Sequence, residues 1–183
     1  MPPFAANRSW TPELDRRARR LAWLVLDVDG VLTDGRLHLS ESGELFKSFH
    51  VRDGLAVKRA RAAGLRIALL SARDSAIVAR RAAELGIEEV AQGSVEKGAS
   101  LAELLARHGA EPADAAYMGD DLQDLPALAL AAFSAAPADA APEVLAAVDF
   151  VTGARGGRGC VRELVDRILA ARLAGAPGHG DDA

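Results

Sequence analysis

The sequence predicts a doubly wound α/β domain built on a parallel sheet, and three observations carry that reading. The apolar run from Leu21 to Leu26 lacks helical period and stops at acidic residues, as a central strand covered on both faces does. Beyond Asp53, short apolar segments alternate with longer helix-like ones that close at glycines, the pattern of β-α-β units. The 183-residue length suits one globular core.

Each element follows from local chemistry. Residues 1–10 read as a loose arm, after which Thr11-Pro12 sets an N-cap and a first-turn proline for a short basic helix to Arg20. Residues 21–27 form the first strand. Residues 36–40 and 44–50 flank Glu41-Ser42-Gly43, a glycine turn that predicts a β-hairpin flap. A helix over 53–63 ends at Gly64, a strand over 65–70 follows, and a helix capped by Asp74 runs to Leu85 before Gly86. The pattern continues with a strand at 88–91, a helix at 96–108, a strand at 115–118, a short helix at 122–129 and a strand at 131–135. Helices over 142–147 and 160–173 bracket a small strand at 149–151 and the glycine-rich stretch 153–159. Residues 175–183 read as a flexible tail, leaving 21–174 as the one folded domain.

Composition narrows the function. The 22 Lys and Arg against 26 Asp and Glu give a net charge of −4, with no aromatic-studded basic stripe, so a nucleic-acid surface is not expected. The single Cys160 cannot form an internal bridge, and no Cys/His cluster has zinc spacing, which fits a reducing, cytoplasmic setting. No apolar stretch approaches the ~20 residues of a membrane span, and no signal-like segment opens the chain.

Ligands of open α/β sheets bind outside the carboxyl ends of the strands. There the sequence places Asp27 and Asp29, Ser71 with Arg73, Lys97, and Asp120 with Asp121. Carboxylates crowded into one crevice repel by ~4 kcal/mol per pair at 4 Å and an effective dielectric of 20, so Asp27, Asp29, Asp120 and Asp121 call for a cation. A hard ion that keeps its waters and takes one or two carboxylates plus a phosphate is Mg²⁺. Lys97 and Ser71 add a positive charge and a hydroxyl, and the set suggests phosphoryl transfer. Asp53, Asp74 and Asp114 read as ordinary turn or cap residues.

These residues resemble a known superfamily. Asp27-Val28-Asp29-Gly30-Val31-Leu32-Thr33-Asp34-Gly35 is similar to the first motif of the haloacid dehalogenase superfamily, with Ser71, Lys97 and Gly119-Asp120-Asp121-Leu122-Gln123-Asp124 standing at the second, third and fourth. From Leu21 to Leu169 the finer likeness is to the 3-deoxy-D-manno-octulosonate 8-phosphate phosphatases. It is carried by Phe49-His50-Val51-Arg52-Asp53-Gly54, by Gly86-Ile87 before Gln92-Gly93, and by Gly156-Gly157-Arg158-Gly159-Cys160-Val161-Arg162-Glu163. Two departures stand out: Ser71-Ala72-Arg73 where the family commonly has Thr-Gly-Arg, and His38-Leu39 at hairpin positions often aromatic in relatives.

The resemblance implies a Rossmann-like haloacid dehalogenase fold without a cap domain, since only a hairpin and one helix separate Asp27 from Leu65. It implies a phosphatase of an eight-carbon sugar acid in lipopolysaccharide core synthesis, working as a homotetramer whose neighbouring subunit walls the site. Asp27 is then the nucleophile that forms an aspartyl-phosphate, and Asp29 the general acid and base. Mg²⁺ is held by Asp27, the Asp29 backbone carbonyl and Asp120; Ser71 and Lys97 hold the phosphoryl oxygens, and Asp121 and Asp124 orient the groups around them. Arg73, Arg158 and Arg162 are candidates for the sugar's carboxylate, because a guanidinium offers a bidentate fork. The sequence leaves three rivals: a nine-carbon sugar acid 9-phosphate as substrate, a non-catalytic oligomerising domain of the same fold, and a phosphoacceptor receiver domain. The receiver requires an aspartate ending a middle strand, which Val90-Ala91-Gln92 lacks.

Overall fold

In the computed structural model, residues 10–174 are described; the arm expected before Trp10 and the tail expected over 175–183 lie outside them. Helix α1 (Pro12–Arg20) is capped by Thr11, whose hydroxyl accepts from the Leu14 N–H, and leads into β1 (Trp23–Leu26), buried along its whole length. The hairpin is β2 (His38–Ser40) and β3 (Gly43–Phe46), shorter than predicted, with a register shift between His38 and Leu39 and the rings of His38 and Phe46 stacked 4.0 Å apart.

Six parallel strands make the main sheet in the order β5-β4-β1-β6-β7-β8. They are β4 (Arg66–Leu70), β5 (Glu89–Ala91), β6 (Ala115–Met118), β7 (Phe133–Ala136) and β8 (Phe150–Val151) beside β1. From β1 the chain builds outward to β4 and β5, then returns across the sheet to β6, so the strand order reverses between β1 and β6, where such sheets open a ligand crevice. Alternate residues of β1 serve two cores. Leu24 and Leu26 pack with α1, α2 (Val51–Ala62), α3 (Ala76–Leu85) and α7 (Cys160–Ala174). Trp23 and Val25 pack with α4 (Lys97–Arg107), α5 (Leu125–Leu130) and α6 (Pro142–Ala147). Among the described residues no cap domain interrupts this plan.

Several boundaries differ from the expected ones for identifiable reasons. Helix α3 is capped by Ser75, whose hydroxyl accepts from Val78 N–H, not by Asp74. Helix α2 starts at Val51 because His50 Nδ1 accepts from Arg52 N–H. Asp53 does act as a cap, but of another helix: its buried carboxylate accepts from the N–H groups of Gly159 (3.1 Å) and Arg162 (2.8 Å) at the start of α7. The helix expected at 122–129 opens as a 3-10 turn, Leu122–Asp124, before α5.

The glycine-rich stretch is packed structure. A methyl at Gly156 would sit 1.8 Å from the Gly30 carbonyl oxygen, and Gly157, at φ +60°, donates its N–H to Val31 O at 2.9 Å. These glycines let the backbone lie against the loop that follows β1.

Candidate active site

Register brings the acidic residues together. β1 and β6 pair with Leu26 beside Met118, and the Asp27 N–H donates to Met118 O, so Asp27 and the Gly119-Asp120 turn emerge side by side. Gly30 is required there: a side chain at its φ of +93° would strike the Asp120 carboxylate at 2.0 Å. Lys97 enters from the first turn of α4, fully buried, with its ammonium 2.8 Å from Asp27 Oδ1 and 2.6 Å from Asp124 Oδ1.

Carboxylate oxygens of Asp27, Asp120 and Asp124 all lie within 4.8 Å of one another. Asp124 is saturated. Its Oδ1 accepts from Lys97 and from Tyr117 Oη (2.7 Å), and its Oδ2 from the N–H groups of Asp120 (2.9 Å) and Asp121 (3.1 Å). It therefore holds Lys97 and the Asp120 turn in place. Asp120 Oδ1 is the opposite case: it is buried, no N–H or O–H group of the described residues donates to it, and its carboxyl stands against that of Asp27. The buried carboxyls of Asp27 and Asp124 and the half-buried one of Asp120 face one ammonium, and burial weighs on their charge. Burial, with the charges of Asp27 and Asp124, pushes the Asp120 carboxyl up to about 8. Burial and Asp124 push Asp27 up to about 6 against the pull of Lys97. Burial alone would lower Lys97, but Asp27 and Asp124 outweigh it and hold the ammonium above its usual range. A carboxyl oxygen without a donor beside two buried carboxyls suits a hard divalent cation, which Asp27 and Asp120 would be placed to hold.

The crevice differs from the expected one in its outer members. Asp121 is exposed and caps the 3-10 turn by accepting from Leu122 N–H at 2.8 Å, so the third carboxyl of the cluster is Asp124. The Asp29 carboxylate turns to Lys47 instead, 2.5 Å away. Ser71 is buried at the end of β4, its hydroxyl donating to Arg73 O and accepting from Arg73 N–H. Ala72 is accommodated in that turn because, among the described residues, only glycines take positive φ. Arg73 reaches the site, its Nε 3.8 Å from Asp29 Oδ2. Arg158 and Arg162 do not share it within one chain. They line a separate cavity of about 690 Å³ with Arg52, Asp166 and Arg167, and Arg162 is bound to Asp166 at 2.5 Å.

Lys47, Glu44, Ser75 and Tyr117 escaped the sequence reading. Lys47 and Glu44 sit in an otherwise exposed hairpin and Tyr117 in an apolar strand, so each looks ordinary until the chain folds.

The comparisons agree with this geometry. Residues 83–164 match the model of the haloacid dehalogenase-like hydrolases. The 3-deoxy-D-manno-octulosonate 8-phosphate phosphatase of Haemophilus influenzae is 45% identical over 87% of this chain and 88% of that protein. The chain belongs to the 3-deoxy-D-manno-octulosonate 8-phosphate phosphatase family. The cobalt-bound structure of the Haemophilus member superposes with a TM-score of 0.84, covering 86% of this chain and 92% of that one. The family member from Moraxella catarrhalis, solved with magnesium, phosphate and the sugar acid, superposes at 0.87 with 36% identity, covering 90% and 94%. The parallel sheet seen here is thus this family's fold, and in this chain the carboxyl cluster sits at its switch point.

Proposed function

We propose that this chain hydrolyses 3-deoxy-D-manno-octulosonate 8-phosphate to the free sugar acid and phosphate with Mg²⁺, a step in building the lipopolysaccharide core. The observation that carries the reading is the Asp27, Asp120 and Lys97 constellation, with a buried Asp120 oxygen that no donor reaches, in a chain of this family.

Asp27 attacks phosphorus, and the bond to the sugar oxygen breaks with its electron pair leaving on that oxygen. Asp29 delivers the proton that the oxygen needs, then takes one from the water that hydrolyses the aspartyl-phosphate. Lys97 and Ser71 hold phosphoryl oxygens, and Lys97 keeps Asp27 ionised at 2.8 Å. Asp27, Asp120 and the Asp29 backbone carbonyl would hold Mg²⁺, which when bound would neutralise charge between the nucleophile and the phosphate. Asp124 fixes Lys97 from behind, and Asp121 shapes the Asp120 turn. Arg73, half exposed beside Asp29, is placed to meet the sugar's carboxylate. Arg158 and Arg162 face the other cavity, so they reach a sugar only across a subunit boundary.

The catalytic unit is residues 21–174, the assembly a homotetramer that covers the hairpins and excludes water, and the setting the cytoplasm. No described helix is long and apolar enough to cross a membrane. Phosphate release from the eight-carbon 8-phosphate, measured beside a nine-carbon sugar acid 9-phosphate with and without chelator, tests the reading. Preference for the eight-carbon ester, lost on chelation, is expected. Preference for the nine-carbon ester would keep the chemistry and replace the substrate, and release from neither would refute the enzyme.

A further inference from the structure

Just past β3, where the hairpin turns back to the domain, Lys47 buries its side chain to 1% exposure. Its ammonium lies 2.5 Å from Asp29 Oδ1 and 3.0 Å from Glu44 Oε1. Glu44 accepts a hydrogen bond from Ser75 Oγ, and Ser75 in turn caps α3 and donates its N–H to Gln92 Oε1 at 2.8 Å. A polar chain therefore runs from Asp29 through the hairpin to the start of α3.

A buried ammonium costs several kcal/mol unless carboxylates compensate it, and Lys47 has two. Asp29 itself has little else to hold it: Thr33 Oγ1 donates to Oδ1 at 3.3 Å and Arg73 stands 3.8 Å from Oδ2. Resting on the phosphatase reading above, the geometry points to Lys47 as a positioning residue for Asp29. With Oδ1 accepting from Lys47, Oδ2 is the oxygen left to carry a proton taken up from water, and Lys47 holds the carboxyl so that this proton passes to the departing sugar oxygen. That bond breaks with its electron pair on the sugar oxygen, so a carboxyl free to rotate leaves a poor alkoxide leaving group unassisted.

Leaving-group chemistry separates this role from simple support of the fold. A p-nitrophenyl ester departs as a stabilised phenolate that needs no proton, whereas the sugar ester needs one. In Lys47→Met, kcat/KM for the sugar 8-phosphate is expected to fall ~100-fold, while kcat/KM for p-nitrophenyl phosphate stays nearly unchanged. Inhibition by the free sugar acid should be unaltered, and Lys47→Arg should recover much of the loss. Equal losses on both esters, no loss on the sugar ester, or weakened sugar acid inhibition matching the loss would each overturn the assignment. Should Lys47→Met not fold, Glu44→Gln loosens Lys47 from its other side and should lower the sugar-to-aryl ratio in the same direction; an unchanged ratio overturns the assignment. Wild-type enzyme that cleaves the aryl ester and not the sugar ester refutes the substrate, and that result is independent of the Lys47 comparison.

Discussion

Asp120 concentrates the site's electrostatic cost on one carboxyl, and that cost is measurable. An unfolded aspartate ionises near 3.8, while folded Asp120 keeps its proton to about 8. Stability from this group is therefore full below pH ~4 and is lost as pH rises toward 8, because only the unfolded chain sheds the proton in that window. Asp27, raised to about 6, adds to the same trend up to that pH. A divalent cation replaces those protons, so its benefit grows with pH. Metal-free protein should melt lower at pH 8 than at pH 5.5, by about 2–4 °C for each kcal/mol lost, and Mg²⁺ should restore more at pH 8. Asp120→Asn should raise the metal-free melting temperature at pH 8 and abolish the response to Mg²⁺; melts with EDTA and with Mg²⁺ read both. Asp27→Asn should leave a folded protein without turnover, and appreciable phosphate release from a clean preparation would remove the nucleophile from Asp27. The acidic pair after β1 was legible in the sequence because carboxyls ending a buried strand have few structural uses. Lys47 and Tyr117 were not, because their meaning lies in partners 18 and 7 residues away, contacts that no local pattern encodes.

The elements hold these side chains through contacts between distant parts of the chain. Asp53 sits in the first turn of α2 yet caps α7, so it ties two helices that pack along their length. Asp53→Ala should cost about 1–2 kcal/mol, as the loss of a helix cap does, seen as a lower urea midpoint with an unchanged slope. The stretch 153–159 works at the same scale. Gly156→Ala would press a methyl into the Gly30 carbonyl oxygen and displace the loop carrying Asp27 and Asp29. Activity should drop ~100-fold, beyond what its fall in melting temperature explains. Strand and helix order was readable from alternation and from terminal glycines, but Asp53 read as an ordinary local cap, since its partners come 106 and 109 residues later. The cap of α3 fell on Ser75 and not on its neighbour Asp74, a choice between two competent side chains that composition alone leaves open.

At the scale of the whole molecule, the main sheet is covered on both faces and the hairpin is not. Leu37, Leu39, Leu45 and Phe46 are 44–59% exposed, and Val51 and Leu55 add more apolar surface at the start of α2. Exposed apolar area gains about 25 cal/mol for each Å² removed from water, so hairpins from several copies have reason to meet. Their meeting would also hold Lys47, and through it Asp29, because β3 carries both the outward Leu45 and Glu44, which pairs with Lys47. Assembly and catalysis should then fail together. If the proposed tetramer forms through the hairpins, Leu39→Glu with Leu45→Glu, neither residue lining the carboxyl cluster, should lower the sedimentation coefficient toward that of a monomer. The same substitutions should lower activity on the sugar ester roughly in step with the monomer fraction. A monomer that retains full activity at assay concentration would show that one chain excludes water by itself, and the subunit wall would have to be abandoned.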